Sequence, residues 1–335
     1  MVKILFDLIN YVKFKKREKN FKRGIFIENK FILKYLSKYT KNALIISFEN
    51  LNLNEEDRKN LFVFKTDLFR QLIFLTLKLK FLYCSTPGLN TTFFVKSKLS
   101  KCKYIYLQHS PVGLIKKYQK DAFKYFDILQ IINNFQKKDI LELNSNYKKK
   151  IKTFKSKYAL FNTKINDTNK NLKILIAPTW NTDFYESNYH VKLYNLLNKN
   201  KYEFIFRPHP MSLKKKEITL NQLSELGYKV DLNEELDFKN CGILISDWSG
   251  IFIEYSYFTN RKSYLIDTKQ KKTNHVNLNS NYVSIEEYSR NKIAYSFNPE
   301  QIDLMILNIF DKINNPKALE DEKSIIQDYF NDYFY

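Results

Sequence analysis

The sequence predicts an α/β protein of two domains with a cleft between them, and three observations carry that prediction. Short β-rich runs alternate with helical patterns along most of the chain, which is the mark of mostly parallel sheets covered on both faces. A length of 335 residues exceeds one small core and points to about two domains. A polar, turn-rich stretch at 162–171 interrupts the alternation near the middle and reads as a linker. The expected domains are therefore residues 1–165 and 170–335.

The elements follow in order. Residues 1–23 form a basic amphipathic segment, with Val2, Ile4, Leu5, Leu8, Ile9 and Val12 at near-helical spacing. Lys13, Lys15, Lys16, Arg17, Lys19, Lys22 and Arg23 follow, against the single acid Glu18. Two readings stay open: an interfacial helix on anionic lipid, or a core-covering helix with a solvated tail. In the first half, strands are predicted at 43–47, 61–65, 81–85, 104–107, 128–132 and 159–161. Helices are predicted at 28–38, 67–78, 114–124 and 136–150. The second half repeats the alternation, with strands at 173–177, 202–206, 242–245 and 264–266. Its helices fall at 185–197, 216–226, 251–258 and 301–312, and a closing helix within 317–335 leans back on the first domain. No G-x-G-x-x-G and no P-loop occurs.

Composition narrows the class. Apolar residues at 44%, including 16% aromatic, suffice for packed cores and exclude a disordered chain. The net charge of +21 favours anionic partners, although heavy use of Lys, Asn, Ile, Phe and Tyr together is also a compositional bias. Cys84, Cys102 and Cys241 lack metal-ligand spacing and read as reduced packing residues, and no metal site is expected. No signal peptide is visible, and the greasiest run, 72–83, carries Lys78 and Lys80 and is too short to span a bilayer. A soluble or peripheral protein is expected.

The chemistry gathers just past predicted strand ends. His109 follows the apolar run 104–107 and precedes the turn pair Ser110-Pro111. Arg207-Pro208-His209-Pro210 follows another strand; Arg207 offers a fixed fork of donors for a phosphate, and His209 stands two residues on. Ala177-Pro178-Thr179-Trp180 ends a third strand, and its hydroxyl and backbone N–H groups would face the same cleft. Ser246-Asp247-Trp248-Ser249-Gly250 links a fourth to a helix, whose N-terminus with Ser246 and Ser249 would complete a phosphate pocket needing no metal. His109, from the other domain, is the natural general base. His190 and His275 have no such setting and read as surface residues.

These blocks together resemble the CDP-glycerol glycerophosphotransferases, GT-B-type enzymes that build teichoic-acid-like and capsular polyol-phosphate polymers. The matching residues are the His109 turn, IAPTW at 176–180, RPHP at 207–210 and SDWSGIFIEYSYFTNRKSYLID at 246–267, and YQKDAFKYFD at 118–127 is a weaker match. The likeness covers roughly residues 80–290. It implies two Rossmann-like domains in a GT-B-like arrangement, with 1–165 on the acceptor side and 170–335 binding the nucleotide donor. It implies that His109 and His209 are catalytic and that Arg207, Ser246, Asp247, Ser249 and Thr179 hold the donor. Glu254 is placed near the donor's ribose or glycerol hydroxyls. Two departures stand out: the familiar turn reads Trp-His-Gly, here Gln108-His109-Ser110, and Gly250 stands where a second serine is common.

The function so implied is metal- and cofactor-independent transfer of glycerol phosphate, or a related polyol phosphate, from a CDP-activated donor to a polymer hydroxyl. The acceptor would be lipid-linked and the site cytoplasmic, peripheral on the anionic inner face of the membrane. A nucleotide-sugar glycosyltransferase of capsule or lipopolysaccharide synthesis on the same scaffold is the alternative. A non-catalytic basic protein binding membrane or nucleic acid is the second, disfavoured because nucleic-acid motifs are absent.

Overall fold

The computed structural model describes residues 2–91, 93–161, 173–180, 183–233, 238, 241–269, 282–315 and 321–335. Among them the chain forms two parallel-sheet α/β domains. The first sheet contains β1 (Arg23–Ile27), β2 (Leu44–Ser47), β3 (Leu61–Val63), β4 (Phe81–Cys84), β5 (Lys103–Tyr106), β6 (Ile128–Ile131) and β7 (Lys152–Lys155). Their order is β3-β2-β1-β4-β5-β6-β7, with every pairing parallel. The second contains β8 (Ile174–Ile176), β9 (Phe204–Phe206), β10 (Ile243–Ser246), β11 (Ser263–Ile266) and β12 (Ala294–Phe297) in the order β12-β11-β10-β8-β9, again all parallel. Parallel strands need covered faces, so the central runs are largely apolar rather than alternating, as in the fully buried β2, β8 and β11, where the only polar residues are Ser47 and Ser263 at strand ends.

Helices α1 (Val2–Glu18), α2 (Lys30–Leu36), α3 (Glu55–Arg58), α4 (Asp67–Leu75) and α5 (Asn134–Tyr147) belong to the first half. The second half carries α6 (Tyr189–Lys199), α7 (Pro210–Lys214), α8 (Leu220–Glu225), α9 (Ile251–Thr259), α10 (Ile285–Ile293), α11 (Ile302–Asn314) and α12 (Asp321–Tyr333). Two predictions fail here. Residues 114–124 are turns instead of a helix, because the segment's buried side chains Leu114, Ile115, Tyr118, Ala122 and Phe123 pack irregularly into the first core. Residues 159–161 are a turn, and the edge strand β7 lies earlier, in a Lys-rich segment that hides its strand character. Strands β1 and β12 and helices α3, α7 and α10 were not predicted, although α10 opens on a capping box of Ser284 and Glu287. The predicted linker at 162–171 lies outside the described residues.

The two halves are bound together. Ile326, Tyr329 and Phe330 of α12 share a core with Ile132, Tyr158 and Phe161 from the first half and Phe252 and Ile253 from the second. The backbone N–H of Tyr335 donates to the carbonyl of Ile132 (3.1 Å). The closing helix does lean back across the boundary.

The helix α1 docks in an unusual way. Its packed side is Asp7, Asn10, Phe14 and Glu18, not the apolar stripe. The Asp7 carboxylate accepts from the Lys65 and Thr66 N–H groups (2.9 and 2.8 Å) just ahead of α4, where a negative charge complements the helix dipole. Asn10 donates to the Val63 carbonyl (2.9 Å), and Glu18 accepts from the Lys78 N–H (2.6 Å). Val2, Ile4, Leu5, Phe6, Leu8, Ile9 and Val12 are left exposed, Val2 by 84% and Leu5 by 59%.

Candidate functional site

The predicted residues do stand at the carboxyl ends of parallel strands, outside which α/β sheets bind ligands. In the second sheet the strand order reverses between β8 and β10, which makes the carboxyl ends of these two parallel strands the sheet's switch point. Ser246 and Asp247 stitch them. The buried Ser246 hydroxyl donates to the Ala177 carbonyl (2.6 Å), and the buried Asp247 carboxylate accepts from the Thr179 N–H (2.8 Å). Ser246 therefore points into the protein, unlike the ligand-facing hydroxyl expected of it. The backbone around it is set by these two bonds. Ser249 remains part-exposed, and its hydroxyl accepts a long bond from the Ile251 N–H (3.4 Å). The N-cap of α9 is Gly250, with no side-chain cap.

Two cations unannounced by sequence pattern hold the same turn. Lys117, from the first domain, donates to the Trp248 carbonyl (2.6 Å). Arg290, on α10, donates to the Asp247 carbonyl (2.7 Å), stacks over the Trp248 ring at 4.0 Å and pairs with Asp267. Each sits in an ordinary-looking charged stretch, so only the fold reveals it. Their positive charge beside 246–250 suits an anion.

Arg207 follows β9, with Nη1 bonded to Asp231 (2.5 Å) and Nη2 donating to the Asn233 carbonyl (2.7 Å). His209 caps α7, its Nδ1 accepting from the Met211 N–H (3.0 Å). In the neutral ring that leaves the proton on Nε2, a donor. Trp180 lies 6.3 Å from the His209 ring and beneath the Lys215 ammonium at 4.2 Å.

His109 follows β5 and enters a cage of tyrosines. Its Nδ1 lies 3.0 Å from the Tyr106 hydroxyl, and the Tyr35, Tyr106 and Tyr118 rings surround it edge-on at 6.0–6.2 Å between centroids. Burial pushes the imidazole down to about 4, against a small upward pull from the Ser85 backbone, so the ring is neutral at ordinary pH. Glu254 of α9 reaches across to this region. It is buried and accepts from the Tyr158 hydroxyl (2.5 Å), and Tyr158 stacks against Tyr35 at 5.9 Å. Burial raises the Glu254 carboxyl, opposed by Lys34, Tyr158 and Arg207 nearby. Its carboxylate thus faces the first domain.

The turns carrying His109 and Ser249 touch. Ser110 and Val112 press directly on Gly250, and no space for another atom separates them. His190, expected on the surface, is instead buried in the first turn of α6 against Tyr185 at 5.5 Å, and burial lowers its pKa. His275 lies outside the described residues.

Below this contact the domains meet through two buried acids. Asp139 accepts from the Leu114 N–H (2.7 Å) and the Tyr282 hydroxyl (2.5 Å), and Glu286 accepts from the Gly113 N–H (3.1 Å). Burial pushes Asp139 up to about 7, opposed by the Tyr282 and Leu114 bonds and reinforced by Glu286 and Glu142. The folded protein then holds a proton that an unfolded carboxyl, near 3.8, has released. This term's stability is fully present below about 4 and is lost as pH rises toward about 7. Thermal melting at about pH 5 and about pH 8 should show a smaller difference for Asp139→Asn than for the natural protein.

Two parallel-sheet α/β domains packed together, with the candidate residues at strand ends, give the architecture of the GT-B class. Residues 134–272 match the profile of the family described as CDP-Glycerol:Poly(glycerophosphate) glycerophosphotransferase, and over that segment the chain is similar to this family, which makes it glycerophosphotransferase-like. The segment includes Arg207, His209, Thr179 and the 246–250 turn; His109 lies before it. The fold is similar to the solved structure of the wall teichoic acid polymerase TagF, at 15% identity and a TM-score of 0.55, covering 98% of this chain and 91% of that one. It is also similar to S. aureus MnaA solved with UDP, at 11% identity and a TM-score of 0.51, covering 91% of each chain. No curated protein sequence matches the chain. Among the described residues no helix is long and apolar enough to cross a membrane.

Proposed function

We propose that this enzyme transfers glycerol phosphate, or a related polyol phosphate, from a CDP-activated donor to a hydroxyl of a teichoic-acid-like or capsular polymer. The observation that carries the reading is the direct contact between the His109 turn and the 246–250 turn, one from each domain, beside strand ends that carry the family's segment. His109, neutral at working pH, takes the proton of the attacking acceptor hydroxyl. Arg207 and the Nε2–H of His209 bind the donor's phosphates, with the Ser249 hydroxyl and the N–H groups opening α9. Ser246, Asp247 and Thr179 hold the shape of that turn. Lys117 and Arg290 add positive charge, and Glu254 orders the facing wall through Tyr158. The acceptor oxygen bonds to the glycerol-bearing phosphorus, the bond between the two phosphates breaks, and the groups that hold the donor stabilise the departing CMP without a metal.

Incubation with CDP-glycerol, CDP-ribitol and a set of nucleotide sugars tests the reading. Release of CMP with transfer of glycerol phosphate or ribitol phosphate is expected, whereas turnover of nucleotide sugars alone would establish the glycosyltransferase reading.

The same reading places the enzyme on the inner face of the cell membrane, acting on a lipid-linked acceptor. The support is α1, which turns its apolar stripe outward and carries a basic cluster from its last turns into the residues that follow. Wild-type protein should co-sediment with vesicles containing phosphatidylglycerol and release as salt rises. Leu5→Glu with Ile9→Glu should abolish sedimentation, and unchanged binding would refute this placement.

A further inference from the structure

Gly250 occupies the N-cap of α9 at φ −65° and ψ −11°, a conformation any residue adopts. Backbone freedom therefore does not explain the glycine; space does. A Cβ atom at this position would lie 2.5 Å from Ser110 Oγ and 2.6 Å from Val112 Cγ1, both far inside van der Waals contact, with Pro111 Cδ at 3.9 Å. All three neighbours belong to the opposite domain and to the turn that begins at His109. The Ser110 hydroxyl could swing aside, but Val112 is β-branched and buried in the first core, only 6% exposed, so it yields little.

We infer that Gly250 and the Ser110–Val112 turn form a matched interdomain stop that sets how closely the His109 turn approaches the Ser249 turn. The closed spacing is decided by bulk on both sides of one contact. Adding a methyl group on the α9 side forces the turns apart, and removing bulk on the other side lets them return. Gly250 is thus a positioning residue that acts through His109 without touching the reacting groups. This also connects two positions that looked unrelated in the sequence: a side chain at 110 and its absence at 250 face each other. The effect on turnover rests on the reading above, in which these turns hold donor and base. Displacement by about 1 Å is enough to cost about 100-fold in a rate that depends on alignment.

The test is a mutant cycle with two readouts. Gly250→Ala should lower kcat on CDP-glycerol by about 10- to 100-fold while the donor KM stays within about twofold, because the donor's own contacts remain. Adding Val112→Ala or Ser110→Gly to that variant should restore most of the loss. Alanine is also a poorer N-cap than glycine, but that local cost would not be relieved from the other domain. Melting temperatures read the same contact without any substrate: Gly250→Ala should lower Tm, and Val112→Ala in its background should raise it again. An unchanged kcat in Gly250→Ala, or a loss that neither second substitution relieves, overturns the inference. If no CDP donor is turned over by the natural protein, the functional reading fails instead. The melting cycle then decides, and no coupling there overturns the stop.

Discussion

Replacing His109 with alanine is expected to lower turnover by about 10²- to 10⁴-fold and to leave donor binding nearly unchanged. The expectation comes from where the ring sits. It belongs to the first domain, and the groups proposed to hold the donor belong to the second, so its loss should remove proton transfer and no donor contact. Single-turnover kinetics with CDP-glycerol beside calorimetric titration of CDP-glycerol separate the two quantities. Full activity in His109→Ala would remove the histidine from the mechanism. The tyrosine cage adds a pH signature. Burial lowers the imidazole from its ordinary 6.5 to about 4, so the acid limb it imposes on kcat/KM should lie near pH 4. The linkage sign agrees: with the folded value depressed, this group's stability is present above about 6.5 and is lost as pH falls toward about 4. Neutrality across the working range is useful to a base, although a ring this reluctant to bind a proton gains driving force only once an anionic donor lies close by.

Arg207→Ala should weaken donor binding and turnover together, and it should also destabilise the fold. Asp231 is 13% exposed at its side chain and holds Arg207 as its charged partner, so truncation strands a largely buried carboxylate. A cost of about 1–3 kcal/mol is the usual scale for such an unpaired group. Arg207→Lys keeps the charge but cannot reproduce bonds to Asp231, Asn233 and a phosphate at once, so it should rescue stability better than donor affinity. Donor KM and Tm measured on both variants check this ordering. If Arg207→Ala left the donor KM unchanged, the arginine would be structural alone.

Much of the fold was legible because parallel strands between covered faces are apolar along most of their length. Runs such as 43–47, 81–85 and 242–245 stand out for that reason. What escaped had no such run. In β1, Gly24 and flanking charges shorten the apolar stretch, and β7 is an edge strand with exposed lysines. The segment 114–124 carries apolar residues near helical spacing, but its side chains fill an irregular gap in the core, and packing overrode the pattern.

The candidate site divides along the same line. The residue types past four strand ends, His109, Thr179, Arg207-Pro208-His209 and Ser246 to Gly250, were readable from local sequence, because strand ends followed by turns are where an α/β sheet places its chemistry. Local sequence determined the class of fold and these four turns. Tertiary structure alone decided which groups face the crevice and which hold it together. Ser246 and Asp247 turn inward to stitch β8 to β10, Lys117 and Arg290 arrive from distant segments, and Glu254 bonds to Tyr158 of the other domain. The reason is physical: a buried hydrogen bond or a close steric contact is made between residues far apart in the chain. Neither partner carries a trace of the other until the domains have packed.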